Sequence, residues 1–203
     1  MTTTKERTTK ATRTKVHIIE QAAHLFNTKG YVGTSMKDIM KATGLSKGGL
    51  YGNFQTKEAI AIAAFDHAVD KVWTEVRQRT KMMDNPLDKL REVVAFYRER
   101  VLNPPIEGGC PIQNTAVDAS DSNPALKTRV KEVVDLWQQR IMHTLEQGKE
   151  KKQVLPKVDT KQFAIQFIGT VEGGILLAQL YQDITYFDTV ATQLHQMINQ
   201  INP

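Results

Sequence analysis

Six polar residues near the N-terminus have the types and spacing needed to hold a polyanion. Lys47 can reach a phosphate or the acceptor edge of a guanine, Tyr51 offers a hydroxyl to a phosphate, and Asn53 can pair with a base or a phosphate. Lys57 can meet backbone charge, while Thr34 and Ser35 stand where a helix N-terminus with free N–H groups could rest on a phosphate. Gly48 and Gly49 lie between Lys47 and Tyr51. Each glycine costs about 1 kcal/mol relative to Ala inside a helix, so helix stability does not explain them. Close approach of the backbone to a groove does. Catalytic chemistry is absent by comparison. There is no His-x-x-x-His pair and no phosphate-binding glycine loop after a strand, Cys110 is the single thiol, and Glu172 and Asp183 form no evident acid/base pair. An enzyme is excluded on this reading, and no metal or cofactor is expected.

The elements that must position these residues read as helices almost throughout. Val16, Ile19, Ala23 and Phe26 recur at helical steps, predicting a first helix over 12–28 with Gly30 as its stop. Thr34 is the expected cap of a second helix through Met36, Ile39 and Met40, interrupted at Thr43 and Gly44. Ser46 caps a third that runs to Phe54, with Leu50 and Phe54 as core. Longer helices follow: from Thr56 to about Lys81; from Asn85-Pro86, as cap and first position, to Asn103; and from Asn123-Pro124 to Gly148. The stretch 107–122 is rich in turn formers, with two helical turns over 113–119. The last two helices are expected over 160–181 and 186–201. The fold class is therefore all-α: a three-helix helix-turn-helix unit at the N-terminus, followed by a helical body.

Length and charge agree with that division. The usual scaling for 203 residues and 22.9 kDa leaves around 70% of the unfolded surface buried, enough for one domain or two unequal ones. The net charge of +5 is unevenly spread. Residues 1–60 carry ten bases and four acids, a net of +6, and the remaining 143 carry seventeen bases and eighteen acids, a net of −1. A basic module of residues 1–60 on a nearly neutral body of residues 61–203 is the natural division, with a polyanion as partner of the first. The tail before residue 12 could follow phosphates or the minor groove through Lys5, Arg7 and Lys10, or stay solvated. A lone cysteine and the lack of a signal-like N-terminal run fit a cytoplasmic protein that does not enter a membrane.

The run Gly30-Tyr31-Val32-Gly33-Thr34-Ser35-Met36-Lys37-Asp38-Ile39, then Gly44-Leu45-Ser46-Lys47-Gly48-Gly49-Leu50-Tyr51, Asn53-Phe54 and Lys57-Glu58, closely resembles the N-terminal domain of tetracycline-repressor-like (TetR/AcrR) transcriptional regulators. The resemblance covers residues 13–60 in order. It implies a repressor that binds a palindromic double-stranded DNA operator as a homodimer and is released by a small organic inducer. The implied DNA contacts are Thr34, Ser35, Lys47, Gly48, Gly49, Tyr51, Asn53 and Lys57. The family commonly has histidine where Asn53 stands and a bulkier residue where Gly49 stands. The base-reading surface here is accordingly sparse, and specificity leans on Lys47, Asn53 and groove shape.

For residues 61–203 the resemblance implies ligand binding and dimerisation. Phe65, Trp73, Phe96, Tyr97, Trp137, Met142, Phe163 and Phe167 supply material for a pocket, although aromatics at helical period more often close an ordinary core. Cys110, in Gly108-Gly109-Cys110-Pro111, resembles a segment in which some family members carry an electrophile- or oxidant-responsive cysteine; a turn near a helix start could lower its pKa, and a buried, inert thiol is the alternative. Phe167, Val171, Gly174, Leu177, Val190, Leu194 and Met197 on the last two helices are the candidates for a two-fold four-helix interface, unless they complete the chain's own core.

Overall fold

The computed structural model describes residues 10–119 and 123–203. Lys5 and Arg7 of the basic tail lie outside the described residues. Nine helices account for the described chain: α1 (Lys10–Gly33), α2 (Met36–Thr43), α3 (Lys47–Tyr51), α4 (Lys57–Thr80), α5 (Pro86–Arg100), α6 (Pro111–Ala119), α7 (Pro124–Glu150), α8 (Thr160–Tyr181) and α9 (Ile184–Gln200).

Local chemistry sets most of the boundaries. Gly30, at φ 74°, breaks α1 where a helix stop is expected, and a further short helical piece carries the chain to Gly33. Gly44 closes α2 in the left-handed conformation at φ 69°, which favours glycine because a side chain there would crowd the backbone. The Asn-Pro device works twice. Asn85 accepts from Leu87 N–H at 2.8 Å, Asn123 accepts from Leu126 N–H at 2.9 Å, and proline follows each where no N–H is needed. Several boundaries differ from expectation: α1 starts at Lys10 rather than 12, α3 ends at Tyr51 rather than Phe54, α5 ends at Arg100 rather than Asn103, α6 begins at Pro111 rather than 113, and α9 begins at Ile184, capped by Asp183.

Two apolar clusters organise these helices. The smaller joins Ile18, Ala22 and Ala23 of α1, Ile39 of α2, Leu50 of α3, Phe54, and Ile60 and Ala64 of α4. The larger is built from α4 to α9 around Phe96, Phe167, Phe187, Leu87, Leu145 and Leu194, all essentially without exposure. Helix α4 belongs to both: Ile60 and Ala64 face the smaller cluster, and Ala61, Phe65, Val69 and Val72 face the larger. Since a helix rises 1.5 Å per residue, α4 is an unbroken rod of about 36 Å whose first turns lie between the two clusters and whose remainder runs on along the larger.

Candidate functional site

The helix-turn-helix is assembled by its caps. Ser35, not Thr34, caps α2: its hydroxyl accepts from Asp38 N–H at 3.1 Å, while the Asp38 carboxylate accepts from Ser35 N–H at 2.8 Å. Bonds from Ser35 hold the Asp38 carboxyl below its ordinary pKa. Thr34 is fully buried, and its hydroxyl donates to Gly30 O at 2.8 Å. This corrects the expectation of Thr34 as the cap of α2: its side chain is turned inward and ties the α1–α2 corner together. Ser35 remains exposed at the helix start.

On α3, capped by Ser46, Lys47 and Gly48 are exposed, and Tyr51 retains 42% of its accessible surface. The Lys47 ammonium lies 6.0 Å from the centre of the Tyr51 ring, so a cation and a phenol share one face. A methyl group added at Gly48 would meet nothing within 4 Å. Nothing inside the chain therefore requires glycine there, and the surface around it is bare backbone. Leu50 and Phe54 are buried, as expected of core. Asn53 and Lys57 are less open than the motif suggests. Asn53 Nδ2 donates to Gly49 O at 2.8 Å and braces the end of α3. Lys57 is half-buried with its ammonium 4.2 Å over the Tyr31 ring, and burial lowers its pKa despite Asp118 and Asp38 nearby.

The body contains an open groove between α4, α5 and α7 with room for a molecule of roughly 430 Å³. Trp73, Tyr97 and Trp137 line it together with Val76, Leu90 and Val93. A much narrower space lies beside it, reached by Trp73, Phe96, Tyr97 and Cys110. Four expected pocket residues stand elsewhere. Phe65 faces the crevice between α1, α4 and α6, Met142 packs at the edge of the larger cluster, and Phe163 stacks on the fully buried Phe167 at 5.9 Å. Helical-period aromatics close a core as readily as they line a cavity, which is why sequence could not separate them.

Cys110 is buried, and its thiol donates to Glu172 Oε1 at 3.2 Å. Burial, and then the charge of Glu172, push the thiol well above its ordinary pKa, outweighing backbone N–H bonds at the start of α6. The expected lowering is thus reversed. Burial likewise raises Glu172 to about 7, with Oε2 left unpaired, and raises Tyr97 as well.

Sequence reasoning missed the seam between the two clusters. Asn27 Nδ2 donates to Glu107 O at 2.8 Å and to Gly109 O at 3.1 Å. Asn114 Nδ2 donates to Gly108 O at 2.6 Å and lies 3.3 Å from Asn27 Oδ1. Asp118 accepts from the Tyr31 backbone N–H. Gly108 has φ 100°, and a β-carbon there would stand 2.5 Å from Asn27 O. Only the glycine pair at 108–109 hinted at this, because the partners lie some 80 residues away.

The interface candidates divide. Phe167, Val171, Gly174 and Leu194 are buried within the chain, and a methyl group on Gly174 would meet Val190 at 2.9 Å. They pack α8 against α9 rather than a second copy, which corrects their assignment. Val190 and Met197 are half-buried, and Leu177 is exposed beside Ile165, Leu176, Leu180 and Tyr181. Among the described residues, α8 alone has the length and apolarity of a membrane span. Its buried side packs on α7 and α9.

A short capped α2–turn–α3 unit, an exposed cationic α3 and an all-helical body define a helix-turn-helix transcriptional regulator. Residues 18–64 match the bacterial regulatory proteins of the tetR family, and residues 86–194 match the tetracyclin repressor-like C-terminal domain. The chain belongs to this family. It is similar to a TetR transcriptional regulator from Chloroflexus aurantiacus, at 37% identity and a TM-score of 0.89, covering 95% of this chain and 98% of that one. A TetR-family regulator from Cytophaga hutchinsonii is 33% identical with a TM-score of 0.87, over 96% of this chain and 97% of its own. An HTH-type transcriptional regulator in the lacX 3′ region of Lactococcus lactis is 27% identical over 180 residues, 87% of this chain and 88% of that protein. Membership makes the chain a DNA-binding regulator, not an enzyme, with a fold typical of cytoplasmic regulators.

Proposed function

We propose that the chain represses transcription as a homodimer on a two-fold-related DNA operator and is released when a small organic molecule enters the groove between α4, α5 and α7. The head is residues 1–60 and the body residues 61–203. The observation that carries this reading is the continuity of α4, which bears Lys57 under the head and Trp73 in the groove wall. Lys47, Gly48 and Tyr51 supply the DNA-facing surface, joined by Ser35 at the start of α2; Gly49, Asn53 and Lys57 complete it from behind. The exposed apolar face of α8 around Ile165, Leu176, Leu177 and Leu180 meets a second copy rather than lipid, with Val190 and Met197 at its border. Titrating the protein into a labelled duplex of its own promoter region, beside a random duplex, tests the reading. Saturable preference for the promoter duplex supports it, and equal affinity for both rejects it.

Sensing of electrophiles or oxidants through Cys110 is the alternative. Its support is that Cys110 borders the narrow space beside the groove. Against it, the buried thiol is held protonated, and the thiolate is the reactive form. Complete alkylation of Cys110 with no loss of operator binding eliminates it.

A further inference from the structure

The groove between α4, α5 and α7 is cationic as well as aromatic. Arg77 and Lys81 stand on its α4 side, Lys89 on α5 and Arg140 on α7, and among the described residues no aspartate or glutamate lines it. Residues 61–203 hold seven arginines. Five are ion-paired: Arg79 with Glu92 and Glu99, Arg91 with Asp88, Arg98 with Asp188, Arg100 with Glu75, and Arg129 with Asp66 and Glu132. Among the described residues, the two with no ion pair are Arg77 and Arg140, and both line this groove. Arg140 lies 4.2 Å over the Trp73 ring, which fixes its plane and leaves its edge donors to the groove. Arg77 donates to the Thr74 hydroxyl at 2.9 Å. Burial, and then the like charge of Arg77, lower the Arg140 pKa, with Asp70 opposing, so the two cations repel one another. A counter-anion relieves that repulsion. It is not DNA, because Arg77 lies twenty residues along α4 from Lys57, a distance of about 30 Å.

We propose that this groove binds an organic anion, a carboxylate or phosphate ester on an apolar body, with its acidic head held by Arg77 and Arg140 and its body over Trp73 and Trp137. The inference deepens the reading of the groove as the sensor site and rests on it. Arginine forks match carboxylate and phosphate oxygens, and the indoles take the apolar part. Lys81 and Lys89 at the margin draw the anion in.

The test uses the full chain and 8-anilinonaphthalene-1-sulfonate, followed by energy transfer from tryptophan, beside the neutral analogue N-phenyl-1-naphthylamine. The sulfonate binds at one site per chain, and Arg77→Ala and Arg140→Ala each weaken it about tenfold while leaving the neutral dye unchanged. Arg140→Lys restores part of the loss. Either 4-phenylbutyrate or phenyl phosphate displaces the sulfonate, which distinguishes carboxylate from phosphate, and 4-phenylbutanol does not. Unchanged sulfonate binding in both alanine variants overturns the proposal, as does equal displacement by the alcohol. Both arginines are exposed, so the variants fold; circular dichroism checks this. Operator binding separates the two readings. If the acids bind through Arg77 and Arg140 without releasing DNA, the anion site stands and the inducer reading fails. If the alcohol alone releases DNA, the inducer reading stands and the anion site fails.

Discussion

The side chains of Asn27 on α1 and Asn114 on α6 are 3.3 Å apart, and together they hold the backbone oxygens of Glu107, Gly108 and Gly109. The end of the first helix and the loop leading into α6 are thereby one hydrogen-bonded unit. Gly108→Ala should break it. The new β-carbon would overlap Asn27 O, and φ 100° is strained for alanine. A loss of about 1–3 kcal/mol is expected, read by urea unfolding at fixed protein concentration.

Lys47→Ala and Lys57→Ala should act differently. Lys47 is exposed beside the open Gly48 surface, so its removal weakens binding to the operator more than to random DNA. Lys57 is half-buried on Tyr31, and its removal weakens binding to every duplex and lowers the slope of log affinity against log salt by about 0.9 if it neutralises one phosphate. Anisotropy titrations over a salt series measure both, and identical effects of the two substitutions reject the division.

Glu172 gives a pH dependence with a definite sign. Its pKa is raised from 4.5 to about 7 by burial, so between those values the folded state holds a proton that the unfolded state releases. Stability is greatest below pH 4.5 as far as this group is concerned, and falls as pH rises through 7, by about 3 kcal/mol in all. Glu172→Gln should flatten the slope between pH 5 and 8. Denaturant midpoints at the two pH values decide it.

Leu176→Glu with Leu180→Glu should leave the chain folded and monomeric, because both side chains are exposed on α8. Phe167→Ala should instead lower stability by about 3–5 kcal/mol, the usual cost of an aromatic cavity. Sedimentation velocity with thermal melting separates the outcomes. A dimer unaffected by the paired glutamates places the interface on another face.

Sequence patterns located the helices wherever a capping residue and an apolar rhythm agreed, as at Asn85-Pro86, Asn123-Pro124 and Gly44. They failed where neighbouring residues compete for one role. Thr34 and Ser35 can both cap a helix, and only packing of the α1–α2 corner turns Thr34 inward. The α3 face was legible because Lys47, Gly48 and Tyr51 are local in the chain. The groove cations were not, since Arg77 and Arg140 come together only when α4 lies beside α7. A spacing of four from Arg77 to Lys81 was the available signal, and in a charged helix face it reads as ordinary surface.

The unbroken length of α4 has a mechanical consequence. A rod of about 36 Å that pivots near Trp73 turns a small tilt into a larger sweep at its far end: about 5° over the roughly 24 Å back to Lys57 moves that residue by about 2 Å. In the two-fold pair proposed above, the two displacements would add, changing the spacing of the heads by about 4 Å, comparable with the rise of a single base step and enough to take two recognition helices out of register with successive turns of the duplex.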